Sequence, residues 1–405
     1  MSSLRSVPRS AWKALIAGQL GWMLDSMDFL LFTFALRAIQ KEFSLDSATM
    51  GLLTSVALVA AAVGGIAFGR IADRIGRVSA MTLTMVIYSL ATGGMATASS
   101  VWQLFFWRAL VGIGMGGEWS CGSVLVAESW PAEHRAKAAG MMQSAWAVGA
   151  LLAAALSALV LERFGWRVLF LIGVFPAILA YFIRRNVEEP EIWKRAKEVA
   201  APTGWGEIFA PRFLRTTLVA TMVAASTLVA YWGIFTWLPA YLATPVSQGG
   251  VGLSVTKSAT WMIVVQLGAF AGYLSFGWIA DRLGRRPAFT LFMICATLVI
   301  PAYAAAASHP SVLLLIGPLV GFFAHGYFSL FGALLSELFP TSLRATGQGF
   351  CYNAGRLAAA AAPFAIGFAA DSVGLGVALT VNALFFTLAG ALIWLLPETR
   401  GRELA

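Results

Sequence analysis

The sequence predicts an all-α membrane protein with twelve transmembrane helices in two pseudo-symmetric six-helix bundles. Three observations lead to this fold class. Hydrophobic residues make up 59% of the 405-residue chain and charged residues only 12%, whereas soluble domains carry roughly 25% charged residues. The apolar residues fall into stretches that are long enough to cross a bilayer as helices. Charged phrases from the first half of the chain also return in the second half at a nearly constant spacing.

The hydrocarbon core of a bilayer takes about 20 apolar residues of helix to cross. Glycine and proline inside such stretches do not argue against a membrane helix. A wide polar gap at 185–212 is predicted to be an amphipathic cytoplasmic linker, with a six-helix bundle over 1–184 and a second over 213–405. The twelve predicted stretches lie near 13–36, 50–70, 78–99, 102–127, 137–160, 167–184, 213–242, 257–278, 287–307, 311–335, 346–370 and 374–396.

Lysine and arginine lie mostly on one side of these stretches. If the N-terminus is cytoplasmic, 21 of the 28 basic residues fall on the cytoplasmic side and five fall outside. The other two, Arg108 and Arg356, lie inside predicted helices. This asymmetry predicts that both termini face the cytoplasm. No cleavable signal peptide is evident, and the net charge of +9 is explained by these loops rather than by a nucleic-acid partner.

The repeated phrases show that the two halves are related. GRIADRIGRV at 69–78 returns as GWIADRLGRR at 277–286, and ESWPAEHRAKAAG at 128–140 returns as ELFPTSLRATGQG at 337–349. Offsets of 208 and 209 residues predict two parallel copies of one six-helix unit. We expect the shared charges to latch the halves together, the alternative being simple turns that keep positive charge on one side. The predicted gating residues are Asp73, Arg77, Asp281, Arg285, Glu128, Arg135, Glu337 and Arg344.

These phrases, together with RALVGIGMGG at 108–117, resemble the loop and fourth-helix motifs of the major facilitator superfamily. GMGGEWSCGSVLVAESWPAEHRAKAAG at 114–140 and the acidic pair in LDSMDF are most similar to the sialate/lactate:proton symporters. Aromatic-acid and metabolite:proton symporters share parts of the same phrases. The seventh-helix motif of fungal lactate carriers is absent from TLVAYWGIFTWLPAYL at 227–242. The resemblance therefore implies an organic anion as cargo, bound between the halves.

Few ionisable residues lie inside the predicted helices, where such residues are costly and usually functional. Asp25 and Asp28 share one face of the first helix, and Glu118 lies near the middle of the fourth. We expect these acids to carry the coupled proton, with Asp28 and Glu118 favoured. Arg108 is predicted either to modulate the coupling or to pair with these acids. His325 is a weaker proton-coupling candidate, since a lone histidine in a helix more often serves packing.

Arg356 is the predicted substrate anchor because its planar guanidinium matches a carboxylate and stays charged at any working pH. The alternative is a structural ion pair with a neighbouring acid. The other predicted substrate-binding residues, on the seventh, eighth, tenth and eleventh helices, are Asn353, Gln266, Tyr231, Trp232 and Tyr327.

Together these features predict proton-coupled symport of a small organic anion, a monocarboxylate or a sialate-like acid, across the plasma membrane. We expect a monomer that works by alternating access and binds neither cofactor nor metal. The same fold carrying an aromatic acid, a dicarboxylate or a zwitterionic metabolite is the main alternative. A membrane sensor that binds without transporting is a further alternative. An enzyme is not expected, because the sequence shows no catalytic, metal-ligand or nucleotide-binding pattern.

Overall fold

The computed structural model describes residues 7–45, 47–199, 204–246, 250–253 and 255–404. Within these ranges the chain forms α-helices joined by short loops and 3-10 turns, without a β-strand. The α-helices are α1 (Arg9–Glu42), α2 (Ser47–Ile75), α3 (Arg77–Met95), α4 (Val101–Ser129), α5 (Arg135–Ile172), α6 (Phe175–Asn186), α7 (Glu191–Val199), α8 (Pro211–Ala243), α9 (Val255–Leu283), α10 (Arg285–Ala305), α11 (Pro310–Gly326), α12 (Phe328–Leu338), α13 (Arg344–Ala359), α14 (Ala362–Val373), α15 (Leu375–Asn382) and α16 (Leu384–Leu392).

Each predicted apolar stretch corresponds to a helix or to an interrupted helix. Helix α5 covers the fifth stretch and the start of the sixth, and it is kinked between them at Gly165, whose backbone is non-helical with φ 78° and ψ 172°. The tenth stretch breaks at Tyr327, between α11 and α12. The eleventh breaks between α13 and α14. Among the described residues, eleven spans are long and apolar enough to cross a membrane, and the tenth stretch is one of them despite its break.

The outer surface of the bundle is apolar. Trp102, Leu315 and Phe368 are each at least 75% exposed. In water so many exposed large apolar side chains would mark an unstable surface. Around a bundle of membrane-length helices they are the side chains that face lipid.

Helices within each half approach closely at glycines. A β-carbon at Gly112 or Gly116 of α4 would overlap the carbonyl oxygens of Ala57 and Ala61 on α2. Gly321, which is 209 residues after Gly112, makes the same approach to the carbonyl oxygen of Val265 in the second half. Small residues allow this packing in membranes, where burying apolar surface gives helices no reason to associate.

The two halves meet through a second pair of equivalent approaches. Gly69 of α2 packs against the carbonyl oxygen of Ala345 on α13, and Gly277 of α9 packs against that of Ala136 on α5. The contacts α2–α13 and α5–α9 are therefore related by the same repeat. Both contacts hold the halves together near the end of the bundle that carries the repeated charged phrases at 69–78, 128–140, 277–286 and 337–349. We call this end of the bundle the network face.

The polar gap between the halves contains helix α7 and a 3-10 turn at Trp205–Phe209. The indole of Trp193 on α7 is buried and donates a hydrogen bond to the carbonyl oxygen of Asp73, at 3.1 Å. The linker is thus packed against the network face. Helix α6 ends at Asn186 and α8 begins at Pro211, while the domain boundaries at 184 and 213 stay predictions.

We expect Gly116→Ala to lower the apparent melting temperature of the purified protein. The added methyl group must push α4 away from α2, and overpacking of this kind costs about 1–3 kcal/mol. The matched control is Gly206→Ala, where a β-carbon would meet no atom within 4 Å. Equal melting temperatures for the two variants in a fluorescence-detected thermal unfolding assay would contradict the close-packing account.

Candidate functional site

A small central cavity of about 40 Å³ lies between the two halves. Helices α1 and α5 contribute its wall from the first half, and α8, α9, α12 and α13 contribute the wall from the second half. Among the lining residues that the structure describes, seven are aromatic and one is charged. The lining residues are Trp22, Gln143, Trp146, Leu228, Tyr231, Trp232, Tyr273, Phe328, Tyr352 and Arg356.

Arg356 is the charged residue of this lining. It sits one turn before α13 ends, and its carbonyl oxygen accepts a hydrogen bond from Ala360 at 3.1 Å. Its guanidinium carbon lies 5.2 Å from the ring centre of Tyr352. In the described part of the chain, no carboxylate lies within 4.0 Å of the guanidinium. Arg356 therefore does not form the structural ion pair that was the alternative to substrate binding. Its guanidinium can bind an anion.

Two other predicted substrate-binding residues, Tyr231 and Trp232, also line the cavity. Three others do not. Asn353 is fully buried and donates to the carbonyl oxygen of Gly349 at 2.9 Å, with its amide packed where Gly65 of α2 leaves room.

Tyr327 and Gln266 also lie away from the lining. The Tyr327 ring is fully buried at the break between α11 and α12 and stacks on Phe328 at 4.6 Å. Gln266 is partly exposed on α9, outside the described lining. The position of Tyr327 and Gln266 along their helices matched the middle of the membrane. Whether their side chains reach the cavity depends on which neighbouring helix each one faces.

Sequence analysis did not predict several of the lining residues, although the 209-residue spacing of the repeat points to some of them. Tyr231 lies 209 residues after Trp22, and Tyr352 lies 209 residues after Gln143. Applying the spacing of the charged phrases to Tyr231 would thus have pointed to Trp22. Trp146 has no such signal, and its place beside Trp22, with ring centres 4.8 Å apart, comes from the packing of α5 on α1.

The three predicted proton-coupling acids are fully buried in the first half. One oxygen of Glu118 accepts a hydrogen bond from Thr84 at 2.8 Å. Its other oxygen, and both oxygens of Asp25, have no hydrogen-bond partner among the described residues. Asp25 is close enough to Glu118, Asp28 and Arg356 for their charges to act on it.

Glycine at position 21 gives Glu118 its room. A β-carbon there would overlap the carboxylate of Glu118, so α1 can approach α4 closely only because Gly21 has no side chain. Asp28 lies farther along α1 and is packed near Gly173.

Arg108 does not pair with these acids in the described part of the chain. Its guanidinium carbon lies 4.0 Å from the ring centre of Phe32 and 5.5 Å from that of Phe29. The expected structural ion pair is therefore replaced by a cation–π contact. Whether Arg108 modulates proton coupling stays a prediction.

His325 is fully buried among aromatic rings. Its ring centre lies 4.2 Å from that of Phe235, 5.1 Å from Tyr231 and 6.1 Å from Tyr273. Because Tyr231 and Tyr273 line the cavity, His325 supports the cavity wall from behind. This surrounding matches the packing alternative, and a proton-coupling role stays a prediction.

A stacked aromatic pair joins the acids to the guanidinium across the two halves. Trp119, next to Glu118 on α4, stacks on Tyr352 of α13 with ring centres 3.9 Å apart. The Trp119 indole also donates to Gln143 at 3.2 Å. Tyr352 lies one helical turn before Arg356, so the stack connects the part of α4 that carries Glu118 with the turn that carries the guanidinium.

At the network face, the eight predicted gating residues form two equivalent charge clusters. In the first, Arg77 contacts Asp73 at 3.0 Å and Glu128 at 2.9 Å. In the second, Arg285 contacts Asp281 at 2.7 Å and Glu337 at 3.0 Å. The side chains are almost completely buried, so each cluster depends on its internal pairing to offset lost hydration.

Each cluster is completed by an arginine from the other half. Arg344 of the second half contacts Glu128 at 2.5 Å, and Arg135 of the first half contacts Glu337 at 2.8 Å. The two bridges are exchanged symmetrically, because Arg135 and Arg344 are 209 residues apart. They fasten the halves together and close the network face in this conformation.

Asp73 makes a further contact with the opposite half. Its carboxylate accepts hydrogen bonds from the backbone N–H of Thr346 at 2.8 Å and of Ala345 at 3.2 Å, at the start of α13. A negative charge at a helix N-terminus is stabilised by the exposed N–H groups and the helix dipole. The equivalent Asp281 instead faces Lys137 at the start of α5, at 3.6 Å.

Two glutamates that sequence analysis missed cap the helices following the repeated phrases. Glu189 accepts from the backbone N–H of Arg77 at 2.6 Å, and Glu398, 209 residues later, accepts from that of Arg285 at 2.8 Å. Burial raises the pKa of Glu398, but hydrogen bonds from four backbone N–H groups outweigh it and leave the pKa below its ordinary value. The neighbouring Thr399 also donates to Glu337 at 2.6 Å, so the end of the chain is tied into the second cluster.

The Major Facilitator Superfamily profile matches residues 20–246 and 243–404, which is nearly the whole chain. The chain belongs to the major facilitator superfamily. It is a multi-pass membrane transporter and not an enzyme.

Three similar members of the superfamily match over almost their full length. A Haemophilus influenzae protein whose name assigns it to metabolite transport is 37% identical, over 97% of this chain and 98% of that protein. The "Probable 4-methylmuconolactone transporter" of Cupriavidus pinatubonensis is 35% identical, over 94% and 89%. The sialic acid transporter NanX of Escherichia coli is 31% identical, over 93% and 91%.

The fold also matches solved major facilitator structures. The proton:xylose symporter XylE superposes with a TM-score of 0.81 at 20% identity, covering 97% of each chain. This match confirms the predicted fold class, an all-α major facilitator architecture.

For this major facilitator, we expect Asp73→Asn to slow transport by roughly tenfold while leaving substrate affinity nearly unchanged. The charge at the start of α13 is worth about 1–2 kcal/mol in a buried setting, and its loss makes closure of the network face less favourable. The central cavity is untouched. Initial uptake rates and equilibrium binding would be compared with Glu207→Gln, which removes a partly exposed charge paired with Arg212 in the linker. A full transport rate in Asp73→Asn would reject the latch.

Proposed function

We propose that this protein is a proton-coupled symporter of a small organic anion. The observation that supports the proposal best is Arg356, a cation without a carboxylate partner among the described residues, in a cavity shared by both halves. A guanidinium in an apolar cavity attracts an anion, and its planar fork fits a carboxylate. The sialic acid transporter among the relatives carries a carboxylic acid, which is the same chemistry.

We propose that the acids near Arg356 carry the coupled proton. An ionised Asp25 attracts the guanidinium electrostatically and so competes with the cargo. Protonation removes this competition, so a proton and an anion bind together more readily than either alone. The sequence favoured Asp28 and Glu118 as carriers, whereas the charge of Arg356 acts on Asp25, which makes Asp25 the first residue to test.

We propose alternating access as the transport mechanism. The exchanged bridges Arg344–Glu128 and Arg135–Glu337 close the network face, and breaking them would allow the halves to rock around the cavity.

The positive charge near this face supports its assignment to the cytoplasm, with both termini there and the protein in the plasma membrane. One chain supplies every wall of the cavity, which supports a monomer as the transport unit.

We expect Arg356→Ala to weaken binding of the anionic cargo by roughly 10- to 100-fold, since a hydrogen bond to a charged group contributes about 1.5–3 kcal/mol. Arg356→Lys keeps the charge but loses the planar fork, so its affinity should fall between those of Arg356→Ala and the parent protein. Binding would be measured by isothermal titration with a panel of carboxylic acids. Unchanged affinity in Arg356→Ala would remove this residue from the site.

We expect Asp25→Asn in lipid vesicles to lose accumulation driven by an inward proton gradient and to retain exchange of internal for external cargo. The neutral amide imitates the protonated acid and cannot release a proton. The same measurement on Asp28→Asn and Glu118→Gln compares the three candidates, with Glu207→Gln as the control.

Two outcomes would overturn the coupling proposal. Accumulation by the parent protein that persists after an ionophore collapses the gradient would reject proton symport. Tight binding of acids without flux would favour the sensor alternative instead.

A further inference from the structure

We infer that the cargo is a flat, conjugated acid, such as an aromatic carboxylate, rather than a polyhydroxylated sugar acid. The inference rests on the proposed function and narrows its cargo. It starts from the lining of the central cavity, where seven of the ten described side chains are aromatic. Flat π faces on several sides favour a flat guest, because aromatic contacts add stabilisation beyond the area they bury.

Aromatic faces reach the cavity from both halves. Trp22 and Trp146 approach it from the first half, with ring centres 4.8 Å apart and an angle of 38° between the ring planes. Tyr231 and Phe328 approach it from the second half, with ring centres 4.9 Å apart and planes at 86°. A flat ring held between these pairs could direct its carboxylate to Arg356, which places the cargo between the parts that rock.

The polar groups of the lining are few, and one is already engaged. The side-chain oxygen of Gln143 accepts the hydrogen bond from Trp119. The indole N–H of Trp22 is buried and has no hydrogen-bond partner among the described residues. Beyond Arg356, the remaining polar groups are the Gln143 amide nitrogen, the Trp146 and Trp232 indoles, and the tyrosine hydroxyls.

A sugar acid would bring many hydroxyl groups into this space. Each hydroxyl that loses its water partners without a replacement is penalised strongly. A flat ring acid brings one carboxylate, for which Arg356 and the Trp22 N–H are suitable donors, and an apolar face for the rings. Arg356 alone would bind the carboxylate of a sugar acid and that of a flat ring acid equally well. The aromatic lining of the cavity favours the flat ring acid.

The test is competition binding and uptake by the purified full-length protein in vesicles, with four probes. Benzoate is flat and anionic, cyclohexanecarboxylate has the same charge and a similar size but is puckered, sialic acid is polyhydroxylated, and benzamide is flat and neutral. We expect benzoate to bind most tightly, roughly three- to tenfold better than cyclohexanecarboxylate, which is the range of one aromatic contact. Benzamide and sialic acid should bind more weakly still.

Matched variants locate the preference in the cavity wall. Trp146→Leu should reduce the preference for benzoate over cyclohexanecarboxylate, and Trp146→Phe should retain most of it. The control is Trp102→Leu, which makes the same change on the lipid-facing surface, where Trp102 is 77% exposed. If Trp146→Leu fails a size-exclusion test of folding, the four-probe comparison on the parent protein still decides the inference.

The outcomes separate this inference from the proposed function. Sialic acid or cyclohexanecarboxylate binding as tightly as benzoate, with all binding dependent on Arg356, would overturn the flat-acid inference and leave anion symport intact. Benzamide binding as well as benzoate, or acid binding unchanged in Arg356→Ala, would overturn the anion site itself.

Discussion

The cost of placing charge inside a bilayer is the constraint on which this structure depends. An isolated charge at mid-membrane is strongly unfavourable, so charges there are paired or serve a purpose. The protein uses both solutions in different places. At the network face every predicted gating residue has an oppositely charged partner, whereas Arg356 in the central cavity has no carboxylate within 4.0 Å among the described residues.

The two solutions correspond to two tasks. Buried, fully paired clusters are stable while both halves stay in contact, and removing one partner from such a pair is strongly destabilising. Bridges exchanged between the halves therefore hold this face together. An unpaired guanidinium beside buried acids has the opposite property, because its environment changes whenever a proton or an anion arrives.

The repeat also shows where the two halves have diverged. The network residues keep their identity after an offset of 208 or 209 residues, as with Arg135 and Arg344. The cavity residues do not: the equivalent of Glu118 is Tyr327, and the equivalent of Arg356 is Ala147. The acids are thus confined to the first half and the guanidinium to the second. The duplicated frame thus keeps two equivalent charge clusters, and divergence within it separates the buried acids from the guanidinium.

The sequence alone determined the membrane location, the helical stretches, the repeat and the eight charged residues that form the two clusters. Hydropathy and repeated charged phrases are local properties of the chain, so they can be read without knowing how helices pack. Helical spacing also found Arg356, Tyr231 and Trp232, because an anchor in a membrane helix stands out against apolar neighbours.

Only the tertiary structure decided which residues share the cavity and which charges pair. Asn353 lies three residues from Arg356, yet it packs against Gly65 of the other half, and Tyr327 turns into the second-half core at a helix break. Trp146 and Trp22 are far apart in the chain and meet because α5 crosses α1. Helix rotation, crossing and interruption are set by contacts between distant segments, and periodicity within one segment carries no information about them.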